Sequence, residues 1–239
     1  MIVSFAKVPN IISSILLLGI FAYSFTPNMP NKIHYVALGD SYTICEGAKW
    51  EESWPYIMSD KLNKAGVPII LISNPSRTGW TTQDLIDNEL PIFDMAEANF
   101  ATLLIGVNDW VQGVSAEQFH KNLNFIIDHV LAKINGPVKE QTSRLVLITI
   151  PDFSVTPEGS KYSGGRNISE GLAVFNQAII QEAKKRNLAC VDIFPISKEM
   201  KEDPELISKD HLHPSAKEYA LWEKLIYPAV YDALKRPGR

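Results

Sequence analysis

Cysteine is scarce in this chain: Cys45 and Cys190 are the only two among 239 residues. Two thiols exclude a disulfide framework, and no CxxC pair or Cys/His cluster offers the spacing of a metal site. Positive charge is nowhere concentrated. The 23 Lys and Arg are spread along the chain against 27 Asp and Glu, for a formal net charge of −4. The basic stripe of a nucleic-acid-binding surface is therefore missing, as is any like-charge block of the kind that keeps a tail unfolded. Internal repeats, low-complexity tracts and an interdomain linker are absent too. What remains is an ordinary globular composition, 46% hydrophobic and 21% charged.

Long hydrophobic runs are limited to the N-terminus. Residues 1–25 carry a single charged side chain, Lys7, and contain the run Ile11–Phe21. Ala22 and Ser24 follow at cleavage-like spacing, and then the Pro- and Asn-rich stretch 26–31. An apolar core of about 15 residues falls short of the roughly 20 that span a bilayer comfortably. The segment reads as a secretory signal peptide. The alternatives are an uncleaved anchor, associating with a membrane through residues 11–25, and a core helix. Either of the first two makes 32–239 an exported domain, periplasmic or secreted. That length suits one α/β domain better than two.

Within 32–239, short apolar strands alternate with longer amphipathic segments. Strands are expected at 33–38, 67–73, 100–105, 144–150 and 188–194, several of them almost wholly apolar, as when both faces of a sheet are covered. Helices are expected at about 53–65, with Ser53 as N-cap and Gly66 as stop, and at about 81–98, broken at Pro91. Others are expected at about 116–134, opened by a Ser115–Gln118 capping box and ended by Gly136-Pro137, and at about 168–186. The last, about 215–234, has Leu221, Trp222, Leu225, Ile226, Ala229 and Val230 on one face and a kink at Pro228. Such alternation implies right-handed crossovers and a parallel sheet. Five strands fit the flavodoxin-like order 2-1-3-4-5 in a three-layer α/β/α sandwich. In that order the strands of the two cysteines lie three spacings apart, about 14 Å. A disulfide needs Cα atoms within about 7 Å, so two free thiols are expected even though export would permit a bond.

The residues that could carry chemistry fall at the carboxyl ends of these strands, where α/β proteins place their ligand sites. Ser41, in Leu38-Gly39-Asp40-Ser41, follows the first. Gly79 follows the second, and as a glycine it lets its N–H approach a substrate closely. Asn108, in Gly106-Val107-Asn108-Asp109, follows the third and offers a neutral amide donor. Asp210-His211-Leu212-His213 follows the fifth; a spacing of three sets the carboxylate of Asp210 beside the imidazole of His213, and His211 is the competing base. Singly, each residue reads equally well as a cap or turn residue. His34, His120 and His129 have no partner at useful spacing, and the last two fall on a helix surface. Glu46, Glu51 and Glu52 read as a solvated loop. Trp80 and Trp110, each just past a hydrogen donor, are expected to wall a substrate pocket.

Together the blocks are specific. Gly39-Asp40-Ser41-Tyr42-Thr43, Asn74 through Gly79-Trp80-Thr81-Thr82, Gly106-Val107-Asn108-Asp109 and Asp210-His211-Leu212-His213-Pro214 resemble, in chain order, the GDSL family of the SGNH hydrolase superfamily. Trp54-Pro55 is similar to the family as well, and the resemblance covers about 32–234. It implies the SGNH hydrolase fold and a Ser-His-Asp triad: Ser41 as nucleophile, His213 as general base and acid, Asp210 as orienting carboxylate. It implies an oxyanion hole of the Ser41 and Gly79 backbone and the Asn108 side chain, with no metal and no cofactor. Asp40 and Asp109 are expected to bond turn backbones. One departure is Cys45, where relatives often carry glycine; a local change of groove shape is expected.

The expected activity is hydrolysis of a small-molecule or lipid ester, a small acyl ester or a lysophospholipid, through an acyl-enzyme. A carbohydrate acetyl esterase or an acyltransferase would use the same residues, and a non-catalytic binding module on the same fold is the third reading.

Overall fold

The structure, a computed structural model, describes Met1, residues 32–135 and residues 144–235. The signal or anchor segment and Gly136-Pro137 lie outside the described residues. The first strand is β1 (Ile33–Gly39), followed by the one-turn helix α1 (Ser41–Ile44), α2 (Trp54–Lys64) and β2 (Ile69–Ser73). Next come α3 (Thr82–Asp84), α4 (Leu90–Met95), β3 (Phe100–Leu104), α5 (Val107–Val111) and α6 (Ala116–Asn135). The chain continues through β4 (Leu145–Ile148), α7 (Ile168–Lys185), β5 (Ala189–Val191), α8 (Phe194–Ser197) and α9 (Ala216–Lys235). All strand pairs are parallel, in the order β2-β1-β3-β4-β5. The expected sandwich is therefore the one observed. Among the described residues, no helix is long and apolar enough to cross a membrane.

Handedness decides the layers. β1 to β2 steps one way across the sheet, and β2 through β5 step the other way. Right-handed crossovers then put α2 on one face and α6 and α7 on the opposite one. α9 returns to the first face, packed on α2, β4 and β5, while α6 and α7 pack together on the second. β3 and β4 are buried along their whole length, and β1 at all but His34. The loops after β1 and β3 leave the sheet in opposite directions, and the gap between them is the crevice of the fold.

Several boundaries differ from expectation for local reasons. The fifth strand stops at Val191 because the Asp192 carboxylate accepts from the Phe194 N–H, and Pro195 then opens α8. The helix expected at 81–98 is not simply broken at Pro91. It widens into a π-turn at Leu85–Glu89, and Pro91 sits in the first turn of α4, where its missing N–H costs nothing. Ser53 precedes α2 but donates its hydroxyl to the Trp50 carbonyl and caps no N–H. Half of the capping box of α6 forms: Ser115 Oγ accepts the Gln118 N–H, while the Gln118 amide turns to Asn122. On α9 the buried stripe is Tyr219, Trp222, Ile226, Val230 and Ala233; Leu225, expected there, is exposed. Both cysteines are free, Cys45 buried and Cys190 half-buried.

An aromatic cluster locks the α2–α9 face to the start of the crevice. Trp54 and Trp222 are fully buried, and the Trp54 indole donates to the Tyr42 carbonyl at 2.9 Å. Tyr42 meets Trp222 edge-on at 5.9 Å. Each such indole removes roughly 150–250 Å² from water, on the order of 4–6 kcal/mol of apolar burial.

The end of β1 has no spare room. A Cβ on Gly39 would lie 2.2 Å from the Leu104 carbonyl oxygen and 2.2 Å from the Thr43 hydroxyl. Gly39→Ala should therefore cost about 2–3 kcal/mol in urea unfolding, because the clashing atom is backbone of the adjacent strand and cannot rotate away. An unchanged midpoint would mean that β1 and β3 separate there without penalty.

Candidate active site

Ser41 opens α1 directly after the last strand residue of β1 and is 4% exposed. As the first helical residue, its N–H has no carbonyl within its own helix to meet. The turn beneath it is fixed by two carboxyl groups. Asp40 accepts the Tyr42 N–H at 3.0 Å, and Glu89, projected inward from the π-turn, accepts the Gly39 N–H at 3.0 Å. Asp109 accepts both the N–H and the hydroxyl of Thr82, which ties α5 to α3. Asp40 and Asp109 thus do bond turn backbones.

Asn108 lies on α5 and donates through Nδ2 to the Trp80 carbonyl at 2.9 Å, so the Gly79–Trp80 turn hangs from its side chain. Gly79 is exposed, with φ +85°, and a Cβ there would meet nothing within 4 Å. A close approach of another group to this backbone therefore meets no Cβ and no neighbouring side chain there.

Asp210 and His213 meet as the spacing predicts. His213 Nδ1 lies 2.7 Å from Asp210 Oδ2. The other carboxylate oxygen accepts from the Ser208 hydroxyl at 2.6 Å and from the N–H groups of Leu212 and His213 at 2.9 Å each. Partial burial would raise the Asp210 carboxyl. The Ser208 hydroxyl, the Leu212 N–H and the His213 ring and N–H outweigh it and hold the group well below the ordinary carboxylate range. The Tyr42 ring, edge-on to the imidazole at 5.9 Å, backs it from the core side. His211 takes the left-handed conformation, φ +62°, and is exposed; its ring is not part of the cleft.

Ser41, Asn108 and His213 line one cavity of about 70 Å³. Its apolar walls are Tyr42, Val107, Val111, Phe153, Tyr162 and Leu212. No hydrogen bond joins the Ser41 hydroxyl to the His213 ring, but both open into this space. Gly79 is not among the residues lining it. An alcohol, an imidazole held by a carboxylate, and the Asn108 amide around one small cavity are parts needed for acyl transfer.

The sequence profile of the GDSL-like lipase/acylhydrolase family matches residues 37–221. The chain belongs to this family. Solved structures similar in fold include a psychrotrophic esterase from a Pseudoalteromonas species, with 21% identity over 85% of this chain and 99% of that one and a TM-score of 0.63. A lipase/acylhydrolase from Enterococcus faecalis shares 20% identity over 87% of this chain and 99% of its own, with a TM-score of 0.63. A variant acetyl xylan esterase from Geobacillus stearothermophilus shares 17% over 83% and 94%, also at 0.63. Among curated proteins, none matches.

Several expectations about individual residues need correction. Trp80 and Trp110 do not line the cavity; Phe153 and Tyr162 do. Trp110 is 5% exposed and serves as a buttress, since the Gly171 backbone of α7 approaches its indole so closely that a Cβ would sit 1.8 Å from Nε1. Trp80 instead lies under the Arg77 guanidinium, 5.5 Å from its ring centroid. Cys45 is buried and is not among the residues lining the cavity. It ends α1 in the left-handed conformation that favours glycine, φ +62°, and its buried Sγ faces the Tyr42 and Thr43 carbonyls. The remaining histidines do have partners: His120 with Glu182, His129 with Asp94, and His34 with the Glu97 carbonyl. Glu46 accepts from the Thr78 hydroxyl at 2.6 Å and so braces the Gly79 turn. Tyr162, Leu212 and Glu89 were missed, and nothing local in the sequence distinguishes them from other loop and helix residues.

Asp40 and Glu89 leave Asp40 Oδ2 and Glu89 Oε1 buried without a partner. Burial raises the Asp40 carboxyl to about 8, against the pull of the Tyr42 N–H and with a push from Asp109. Burial likewise lifts Glu89 well above its ordinary range, opposed by the Gly39 N–H and reinforced by Asp40. Both groups ionise near pH 4 in an unfolded chain. The folded state therefore holds the extra protons: the Asp40 contribution to stability is full below about pH 4 and lost as pH rises through about 8, and that of Glu89 is likewise lost as pH rises. Asp210 acts oppositely, adding stability above about pH 4 that is lost on acidification. Glu89→Gln keeps an oxygen for the Gly39 N–H and has no proton to lose. Its urea midpoint should fall less steeply between pH 5 and pH 8 than that of the wild type; parallel profiles would refute the neutral carboxyl.

Proposed function

We propose that this GDSL-family hydrolase cleaves small acyl esters through an acyl-enzyme on Ser41. The observation that carries the reading is the shared cavity: the nucleophile candidate and an imidazole anchored at 2.7 Å to a carboxylate open into the same space. His213 Nε2 takes the Ser41 proton as Oγ attacks the ester carbonyl, and that contact tightens as substrate fills the cleft. Asp210 holds the ring tautomer and offsets the imidazolium charge. The N–H groups of Ser41 and Gly79 and the Asn108 amide meet the oxyanion. His213 then protonates the departing alcohol, and water repeats the sequence to free the acid and Ser41.

Cavity size supports short acyl groups. About 70 Å³ is far below the roughly 300–1,000 Å³ that encloses a drug-sized ligand. It suits two to four carbons, with the alcohol portion outside, and a fatty chain of a lysophospholipid has no such enclosure. An acetylated sugar is the second reading, favoured by the same confinement and by the likeness in fold to an acetyl xylan esterase. Export, expected from Ile11–Phe21, is part of the proposal, and the intact mass of protein from a secreting host tests it.

Purified protein should hydrolyse p-nitrophenyl acetate and butyrate, and a fluorophosphonate should label Ser41. Ser41→Ala should abolish both. Asn108→Ala should lower kcat by about 10²–10³, and Asp210→Asn by up to about 10⁴. Turnover persisting in Ser41→Ala would remove Ser41 from the mechanism. Release of mixed esters on adding an alcohol acceptor would identify transfer instead of hydrolysis.

A further inference from the structure

The segment between β4 and α7 crosses the cleft and is tied down on both banks. On one side, the Glu158 N–H donates to the His211 carbonyl at 3.1 Å, on the loop that bears His213. On the other, Arg166 reaches α5, which bears Asn108. Its Nη1 donates to the Trp110 carbonyl at 2.7 Å and its Nη2 to the Val111 carbonyl at 3.0 Å. Nε donates back to Ser163 at 3.2 Å, within the strap itself. The guanidinium also stacks over the Trp110 indole, 4.0 Å from its centroid. The Trp110 carbonyl also accepts the Gly113 N–H at 3.1 Å, and carbonyls at a helix C-terminus carry partial negative charge, so a planar cation with forked donors is well suited to gather two of them.

Between these two ties lies Tyr162, in the turn Gly159–Tyr162. It is 43% exposed and stands edge-on to Phe153 at 6.4 Å, and both rings wall the cavity beside Ser41. Two residues on, Gly164 and Gly165 both take positive φ, +56° and +78°. The strap's own bonds, Gly159 N–H to the Thr156 carbonyl, Ser163 N–H to the Ser160 carbonyl and Arg166 N–H to the Ser163 carbonyl, are all local turns. Glu158 ties it to the His213 bank, and Arg166 is its side-chain tie to the α5 bank beside Tyr162.

We propose that Arg166 is a positioning residue that sets the acyl-length limit, holding the Tyr162 wall against the Ser41 cavity through the α5 carbonyls. It touches no substrate. It acts through the strap, and its loss opens the wall so that longer acyl chains are accepted. The proposal rests on the ester-hydrolase reading above.

The test is kcat/KM for p-nitrophenyl acetate, butyrate and octanoate on wild type, Arg166→Ala, Arg166→Lys and Tyr162→Ala, with the melting temperature of each. The octanoate-to-acetate ratio should rise at least tenfold in Arg166→Ala and in Tyr162→Ala. In Arg166→Lys, which keeps the charge but not the fork, it should rise by a smaller factor. In the double variant Arg166→Ala/Tyr162→Ala, the two effects should combine to less than their product, since one wall is removed twice. A purely structural arginine would lower the melting temperature and leave the ratio at its wild-type value, which would overturn the proposal. Should Arg166→Ala fail to fold, Arg166→Lys with an unchanged ratio would overturn it equally. Absence of any wild-type turnover would overturn the ester-hydrolase reading and this inference together, whereas an active wild type with a flat variant series overturns the inference alone.

Discussion

The structure depends on one crowded place, the contact between the end of β1 and the end of β3. Gly39 has the Leu104 carbonyl and the Thr43 side chain where a side chain of its own would go. Its N–H is not spent on a neighbouring strand but is accepted by Glu89. Because β1 turns out of the sheet at that point, Ser41 is delivered to the crevice on a rigid corner. The cost is two buried carboxyls, each with an oxygen left without a partner. Burial shifts both towards the neutral form, which lessens the charge it would otherwise penalise.

From that corner the remaining parts are hung by cross-links between loops. Asn108 supports the Gly79 turn through the Trp80 carbonyl, Asp109 binds Thr82, and Glu46 holds Thr78. Tyr219 of α9 donates to the Glu46 carbonyl, which couples the last helix to the loop after α1. His213 is oriented separately, by an aspartate that also collects the donors of its own turn. Polar bonds between loops thus do for the site what apolar packing does for the sheet. They fix relative positions at the edge, where little buried surface is available.

Much of this could be read from the chain. β4 is a continuous apolar run and β3 is broken only by Thr102, a pattern expected of strands covered on both faces. The strand order and the convergence of Ser41, Asn108 and His213 followed from alternation and handedness, and Asp210 from a spacing of three. What could not be read arises from contacts remote in sequence. Nothing in Leu85–Glu89 announces a π-turn, or that Glu89 ends beside Gly39. Trp110 carries the composition of a pocket wall, yet Gly171, 61 residues later by position, closes on its edge and turns it into a buttress. Leu225 fits the apolar period of α9 but stays exposed. The histidine pairings failed for the same reason: Glu182 and Asp94 come from other helices, so spacing along the chain carried no information about them.

The state of the two thiols has a practical side. Burial raises Cys45 well above a normal thiol, and Cys190 to about 12, so neither offers much thiolate at neutral pH. The raised thiols slow the reaction of both native cysteines with maleimides at neutral pH. A fluorophore or spin label attached through Tyr162→Cys would report the surroundings of the strap over the cleft with both native cysteines left in place.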